Sequence, residues 1–271
     1  HMAAQPLVRA SYERPLETYE TNVMGTANLL EAVRQCSSVK AVVNITTDKC
    51  YENNELVWGY RETDPMGGRD PYSSSKGCSE LVTASYRESF LKDANIGIAT
   101  ARAGNVIGGG DWAKDRLMPD VLRSFDESKS VIVRNPHATR PWQHVLEPLS
   151  GYLTLAEHLF RNPSEFSEGW NFGPHDHDVR PVDWILNEMT NLWRGASWVL
   201  DQDDNPHEAM LLKLDISKAS AILGWVPTWD LKTTLGKTVR WHKYWVDGLD
   251  MRIVCIDEIN EFTEDMKHAN N

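Results

Sequence analysis

Residues 39–47 constrain the fold more than any other stretch. They form a nearly continuous apolar run, interrupted by Lys40 and Asn44, that ends in Thr46 and Thr47. A short run this rich in Val and Ile, with no turn residue inside it, reads as a buried strand. A strand apolar on both faces must be covered on both faces, as in the centre of a parallel sheet. Upstream, residues 18–35 place Val23, Leu29, Leu30 and Val33 on one side of a helix, with Pro15 as a first-turn proline. Downstream, residues 51–71 are rich in Gly, Pro, Asp and Asn and read as loop. Residues 72–90 read as a second helix. Residues 96–106 read as a second buried strand, running into Gly108, Gly109 and Gly110. Helix, strand, helix, strand in that order predicts an α/β fold with a doubly wound parallel sheet.

After Asp111 the texture changes to short helices, a strand at 130–134, and loops loaded with Trp, His, Pro and Arg. Residues 147–160 and 169–172 read as a return to the sheet. Residues 231–245 form a long helix, and the acidic tail from Asp257 reads as a solvated end.

The 271 residues carry a net charge of −11, which argues against nucleic acid, whose partners present a basic face. No apolar run reaches the roughly 20 residues of a membrane span, and no secretory signal precedes the first helix. Cys36, Cys50, Cys78 and Cys255 are scattered without a CxxC pair, so they read as free thiols in a cytoplasmic protein. The sequon at Asn44 falls inside the buried strand and reads as coincidence. Most of the 11 tryptophans read as core. His175-Asp176-His177 puts two imidazoles on one face of a strand, but no third ligand is evident and no metal is expected.

The chemistry gathers at Tyr72-Ser73-Ser74-Ser75-Lys76. Residues four apart on a helix share a face, so the phenol and the ammonium address one space. A tyrosine with an ordinary value of about 10 is a poor base at neutral pH, and a neighbouring cation favours its phenolate. Thr46-Thr47-Asp48-Lys49 stands at the C-terminal end of the buried strand, where ligands of open α/β sheets bind. Thr47 can address the same substrate oxygen as Tyr72, with Asp48 and Lys49 beside it. A glycine-rich turn before the first helix, which would hold a dinucleotide's pyrophosphate, is not present. Gly108, Gly109 and Gly110 follow a late strand and cannot take that role.

Thr47, Tyr72 and Lys76 match the Ser/Thr-Tyr-Lys triad, and the chain resembles the extended short-chain dehydrogenase/reductases. Within them it is similar to the nucleotide-sugar 4,6-dehydratases. The stretches that carry this resemblance are His1-Met2-Ala3-Ala4-Gln5, Asn22-Val23-Met24-Gly25-Thr26, Arg102-Ala103-Gly104-Asn105-Val106, Arg140-Pro141-Trp142 and Leu223-Gly224-Trp225. Lys49 stands where the thymidine-diphosphate relatives carry glutamate. With residues 5–9, 58–62 and 108–112, it places the chain nearest the cytidine branch. The resemblance implies a Rossmann-type NAD-binding domain from residues 1–107, rejoined by 144–172. Residues 108–143 and 173–271 would form a nucleotide-sugar-binding domain. It also implies that His1 is native and that a glycine-bearing segment on the order of 80 residues, about two βαβ units, precedes it. The junction at residues 94–96 is expected to be shorter than in relatives.

The same resemblance implies bound NAD and CDP-D-glucose as substrate, in deoxysugar synthesis for lipopolysaccharide O-antigen. Thr47, Asp48, Lys49, Tyr72 and Lys76 would be catalytic. Ala3, Ala4, Gln5, Asn22 and Thr46 would join Tyr72 and Lys76 at the cofactor. Arg9, Asn105, Arg116, Arg140, Trp142 and His207 would meet the nucleotide sugar, the arginines suiting phosphate oxygens. Asp48 and Lys49 would share the acid and base of an elimination, in either assignment. His144 and Glu147 read equally as polar lining or as loop residues. A homodimer or dimer of dimers, through the helices at 18–35 and 72–90, is implied too. The rival readings are a nucleotide-sugar 4-epimerase, which needs no Asp48-Lys49 pair, and a catalytically silent cofactor-binding or regulatory fragment.

Overall fold

The computed structural model describes residues 1–201 and 210–269. The chain divides into two compact units. The first comprises His1–Gly104, Leu149–Gly173 and Leu212–Val226, the second Asn105–Pro148, Pro174–Leu211 and Pro227–Asn271. The divisions therefore fall at 104 and 148 rather than at 107 and 143. Residues 212–226, expected in the second domain, pack in the first unit. Trp225 explains this, because its ring meets Phe172 edge-on at 5.0 Å.

The first unit is built on a parallel sheet in the order Ala41–Ile45, Gly97–Ala103, Gly169–Phe172. Side chains alternate across a strand, and here each face has its own cover. Ala41, Val43, Ile45, Ala99 and Ala101 pack with Leu155, Leu159, Trp170 and Phe172 on one side. Val42 and Ile98 pack with Leu30, Val33, Val82 and Leu91 on the other. That second face changes character along the strands. Val42 pairs with Ile98, then Asn44 with Thr100, so apolar positions give way to polar ones toward the C-terminal ends.

The first long helix is Pro15–Tyr19 and Gly25–Gln35 with a wider π turn at Glu20–Met24 between them; Pro15 sits in its first turn. The second is Pro71–Tyr86, extended by a π turn at Arg87–Leu91. The strand expected through 106 breaks at Gly104 into Gly97–Ala103 and Asn105–Ile107. The strand Ala41–Ile45 is only partly buried, and on its outer side His1 bonds to it. Asn44 is buried against Ser79 and Thr83, so the sequon is closed off.

In the second unit, helices Leu117–Asp126, Val182–Leu192 and Leu231–Val246 enclose a core around Val121, Phe125, Ile185, Leu186, Met189 and Leu235. Val131–Val133 pairs in parallel with Trp198–Leu200. The acidic tail is not a solvated end. Met251–Ala269 is a helix that buries Glu258 and Phe262, and Phe262 meets Trp229 edge-on at 4.9 Å. His175 and His177 flank the start of a one-turn 3-10 segment, Asp176–Asp178, not a strand. Among the described residues, no helix is long and apolar enough to cross a membrane.

Candidate active site

The strand Ala41–Ile45 delivers Thr46, Thr47 and Asp48 to the polar end of the sheet, all three buried. The chain turns there at once through Asp48–Cys50. Thr47 caps the turn: its Oγ1 accepts from Lys49 N at 3.3 Å and donates to Asp48 Oδ1 at 3.0 Å. Lys49 is half-buried.

Helix Pro71–Tyr86 is started by Asp70, whose carboxylate accepts from Ser73 N at 2.9 Å, and by Pro71 in the first turn. Tyr72 and Lys76 lie on its covered side, at 8% and 7% exposure. Tyr72 N donates to Ser11 Oγ at 3.1 Å. Lys76 Nζ donates to Ile45 O at 3.0 Å, fastening the helix to the strand just before Thr46. Burial pushes the Lys76 ammonium down to about 8, against the opposing pull of Glu80. Such a lysine is mostly charged at neutral pH yet close to releasing its proton.

Asn22 links the N-terminal residues to this helix. Its Oδ1 accepts from Gln5 N at 2.8 Å, and its Nδ2 donates to Gln5 O at 3.1 Å and Ser75 Oγ at 2.9 Å. Ser75 Oγ in turn donates to Tyr72 O at 2.7 Å. Gln5 Nε2 also donates to Thr18 Oγ1. Gln5 and Asn22 thus stand in one bonded chain with the Tyr72–Lys76 turn, and Ala3 and Ala4 lie between His1 and that chain. Arg9 is exposed on the short helix Val8–Glu13.

Sequence reasoning alone passes over Glu80 and Arg102, yet they form the densest polar contact in this unit. Arg102 Nε and Nη2 donate to the two carboxylate oxygens of Glu80 at 2.9 and 2.8 Å, with both side chains buried. Thr46 and Thr100 hydroxyls donate to the same carboxylate at 2.5 and 2.6 Å. Arg102 Nη1 donates to Tyr51 Oη at 2.7 Å, and Tyr51 donates on to Asn171. The legible signal was a single arginine inside an otherwise small and apolar strand, which requires a buried partner.

The remaining candidates belong to the second unit. Asn105 N donates to Pro141 O at 3.1 Å, as Asn105–Ile107 runs parallel to Trp142–His144. Arg140 is half-buried and donates to Thr139 O. Arg116 pairs with Asp111 at 3.0 Å at the start of helix Leu117–Asp126. Trp142 is buried in the core of this unit rather than displayed on its surface. His207 lies outside the described residues. His144 and Glu147 are fully buried, not loop lining. Glu147 accepts from Thr228 N and Trp229 N at 3.0 and 2.7 Å, and burial pushes its carboxyl up to about 7. Gly109 lets Trp241 approach: a Cβ there would lie 2.0 Å from the indole. The glycine run is a packing device.

The family described as GDP-mannose 4,6 dehydratase matches residues 1–238. The CDP-glucose 4,6-dehydratase of Salmonella typhimurium is 60% identical over 268 residues, covering 97% of this chain and 75% of that protein. The fold is similar to UDP-glucuronic acid 4-epimerase from Bacillus cereus, solved with UDP-glucuronic acid and NAD. That match has a TM-score of 0.79 and 23% identity, over 90% of this chain and 74% of the other. It is also similar to dTDP-glucose 4,6-dehydratase from Streptomyces venezuelae, solved with NAD bound, at TM-score 0.76 and 22% identity over 90% and 72% of the two chains. The buried Tyr-Lys helix, the polar strand end and the span of these matches agree: the chain belongs to the GDP-mannose 4,6 dehydratase family.

Proposed function

We propose that this chain is an NAD-dependent hydro-lyase that converts CDP-D-glucose to CDP-4-keto-6-deoxy-D-glucose and water. The observation that carries the reading is the 60% identity to a CDP-glucose 4,6-dehydratase along nearly the whole chain. The donor set fits the nicotinamide–ribose end of NAD. The Lys76 ammonium spends one hydrogen on Ile45 O and has others to offer a ribose hydroxyl. Gln5 and Asn22 bond to the same helix turn through Ser75, and Thr46 follows the strand carbonyl that Lys76 holds; these, with Ala3 and Ala4, are the further residues assigned to the cofactor. NAD, when bound, supplies a hydride acceptor for C4 and a hydride donor for C6.

The residues of this chain handle protons. Tyr72 takes the proton of the C4 hydroxyl, Thr47 hydrogen-bonds that oxygen, and Lys76 holds Tyr72 toward its anionic form. The 4-keto group then acidifies the C5 proton. Asp48 and Lys49 divide the next step: one takes the C5 proton and the other protonates the C6 hydroxyl, which leaves as water. By resemblance, Arg140, Arg116 and Arg9 are the candidate guanidinium donors for the pyrophosphate, with Asn105 and His207 as further candidates for the nucleotide sugar; Trp142, buried in the core of its unit, is left a packing role. The protein would act in the cytoplasm, consistent with its free cysteines, and pair into a homodimer through its first two long helices. Leu81 and Phe90, exposed at 61% and 46%, are apolar candidates for that contact.

Assaying 4-keto sugar formation from CDP-, dTDP- and GDP-glucose with NAD tests the reading. The expected result is a preference for the cytidine donor; preference for another base overturns the substrate assignment. Likeness to a 4-epimerase fold supports a second reading, in which Thr47, Tyr72 and Lys76 act without elimination.

A further inference from the structure

Glu80 lies one helical turn beyond Lys76 and is 5% exposed. No step above uses it. Residues four apart on a helix are neighbours, and these two reach consecutive positions of the same strand: Lys76 donates to Ile45 O, and Glu80 accepts from Thr46 Oγ1. Both carboxylate oxygens accept two bonds each, from Thr46 and Arg102 Nε on one and from Thr100 and Arg102 Nη2 on the other. A carboxylate so surrounded stays ionised.

We propose that Glu80 is a positioning residue, the counter-charge that keeps Lys76 an ammonium inside a buried site. The inference rests on the functional reading only in making that ammonium matter for catalysis. The groups facing Lys76 are Tyr72 and Glu80 from its own helix, Cys50 from the turn after the strand, and the amino group of His1 alongside it; Asp48 faces Cys50, and Arg102 faces Glu80 from the next strand. Burial drives the Cys50 thiol well above its ordinary range, so it is neutral. Burial also pulls Lys76 downward, and Glu80 is the carboxylate that opposes it.

The test is the titration of Lys76 itself, followed by NMR of the chain carrying isotope-labelled lysine and assigned through Lys76→Arg. Glu80→Gln is expected to move that titration down by about one pH unit or more, the usual effect of losing an adjacent opposite charge. Glu80→Asp, which keeps the charge, restores most of it. Thr100→Val, which disturbs the same core but leaves the carboxylate, does not move it. With NAD and CDP-D-glucose present, the alkaline edge of C4 oxidation moves down in Glu80→Gln by the same amount. Should Glu80→Gln fail to fold, Glu80→Gln with Arg102→Met removes both charges together and is expected to move Lys76 in the same direction by a smaller amount, because a neighbouring cation is lost as well. An unmoved Lys76 titration in the folded variant, or an equal shift in Thr100→Val, overturns the inference. If Lys76 titrates as expected but no nucleotide sugar yields reduced NAD, the functional reading falls while the counter-charge stands.

Discussion

Replacing Arg102 with methionine strips Glu80 of its partner while keeping most of the buried volume. The guanidinium makes two bonds to Glu80, one to Tyr51 Oη and one to Glu62 O. The variant leaves a carboxylate, 5% exposed, holding only the hydroxyls of Thr46 and Thr100. Breaking a buried pair from one side costs about 3–5 kcal/mol, a large share of a stability of about 5–15 kcal/mol. The pH dependence carries the sharper signature. In the parent chain, burial pushes Glu80 up but the bonds and charge of Arg102, with the two threonines, hold it below the ordinary carboxylate range. Its contribution is therefore present above the unfolded value and lost as pH falls through the folded one. In Arg102→Met, burial is no longer offset and the folded value lies above the unfolded one. The penalty then grows as pH rises through that window and relaxes on acidification. Urea unfolding at pH 7 and pH 5 reads both effects. The deficit is expected to shrink at pH 5, and adding Glu80→Gln at pH 7 is expected to recover much of it. A loss below about 1 kcal/mol at pH 7, the size of an ordinary substitution, or a deficit that grows on acidification, refutes this account of the pair.

Three other outcomes follow from the same geometry. Tyr72→Phe is expected to slow C4 oxidation by about 10²–10⁴-fold without shifting the thermal midpoint; an unaffected rate removes Tyr72 from the proton transfer. Asp48→Asn and Lys49→Ala are each expected to abolish dehydration while reduced NAD still forms slowly on the protein, and full dehydration in both sinks the elimination pair. Glu147, raised by burial to about 7, contributes stability that is present below the unfolded carboxylate value and lost as pH rises through about 7. That loss is about 3 kcal/mol, and Glu147→Gln is expected to flatten the corresponding fall in urea midpoint between pH 5 and pH 8.

The helices and strands with a strong period are legible in the sequence. The apolar run at 39–47 became Ala41–Ile45, and the segment at 231–245 became Leu231–Val246. Tyr72 and Lys76 were readable as a pair because helical spacing alone puts them on one face. What stayed hidden depends on contacts between distant residues. Met251–Ala269 buries so little of its surface, Glu258 and Phe262, that its sequence reads as a solvated tail. The return of 212–226 to the first unit follows from the packing of Trp225, and nothing in its local sequence signals it. Glu80 looks like a surface position of a polar helix until Arg102, Thr46 and Thr100 are seen to converge on it.

The central claim is that Tyr72 and Lys76 open and close a redox cycle around an elimination. It is tested most directly by following the hydrogen on C4. CDP-D-glucose carrying deuterium at C4 is incubated with the protein and NAD, and the product is examined by NMR and mass spectrometry. The account predicts deuterium at C6 of a 4-keto-6-deoxy sugar. Deuterium retained at C4 of an epimerised sugar, or a product without the 4-keto group, contradicts it.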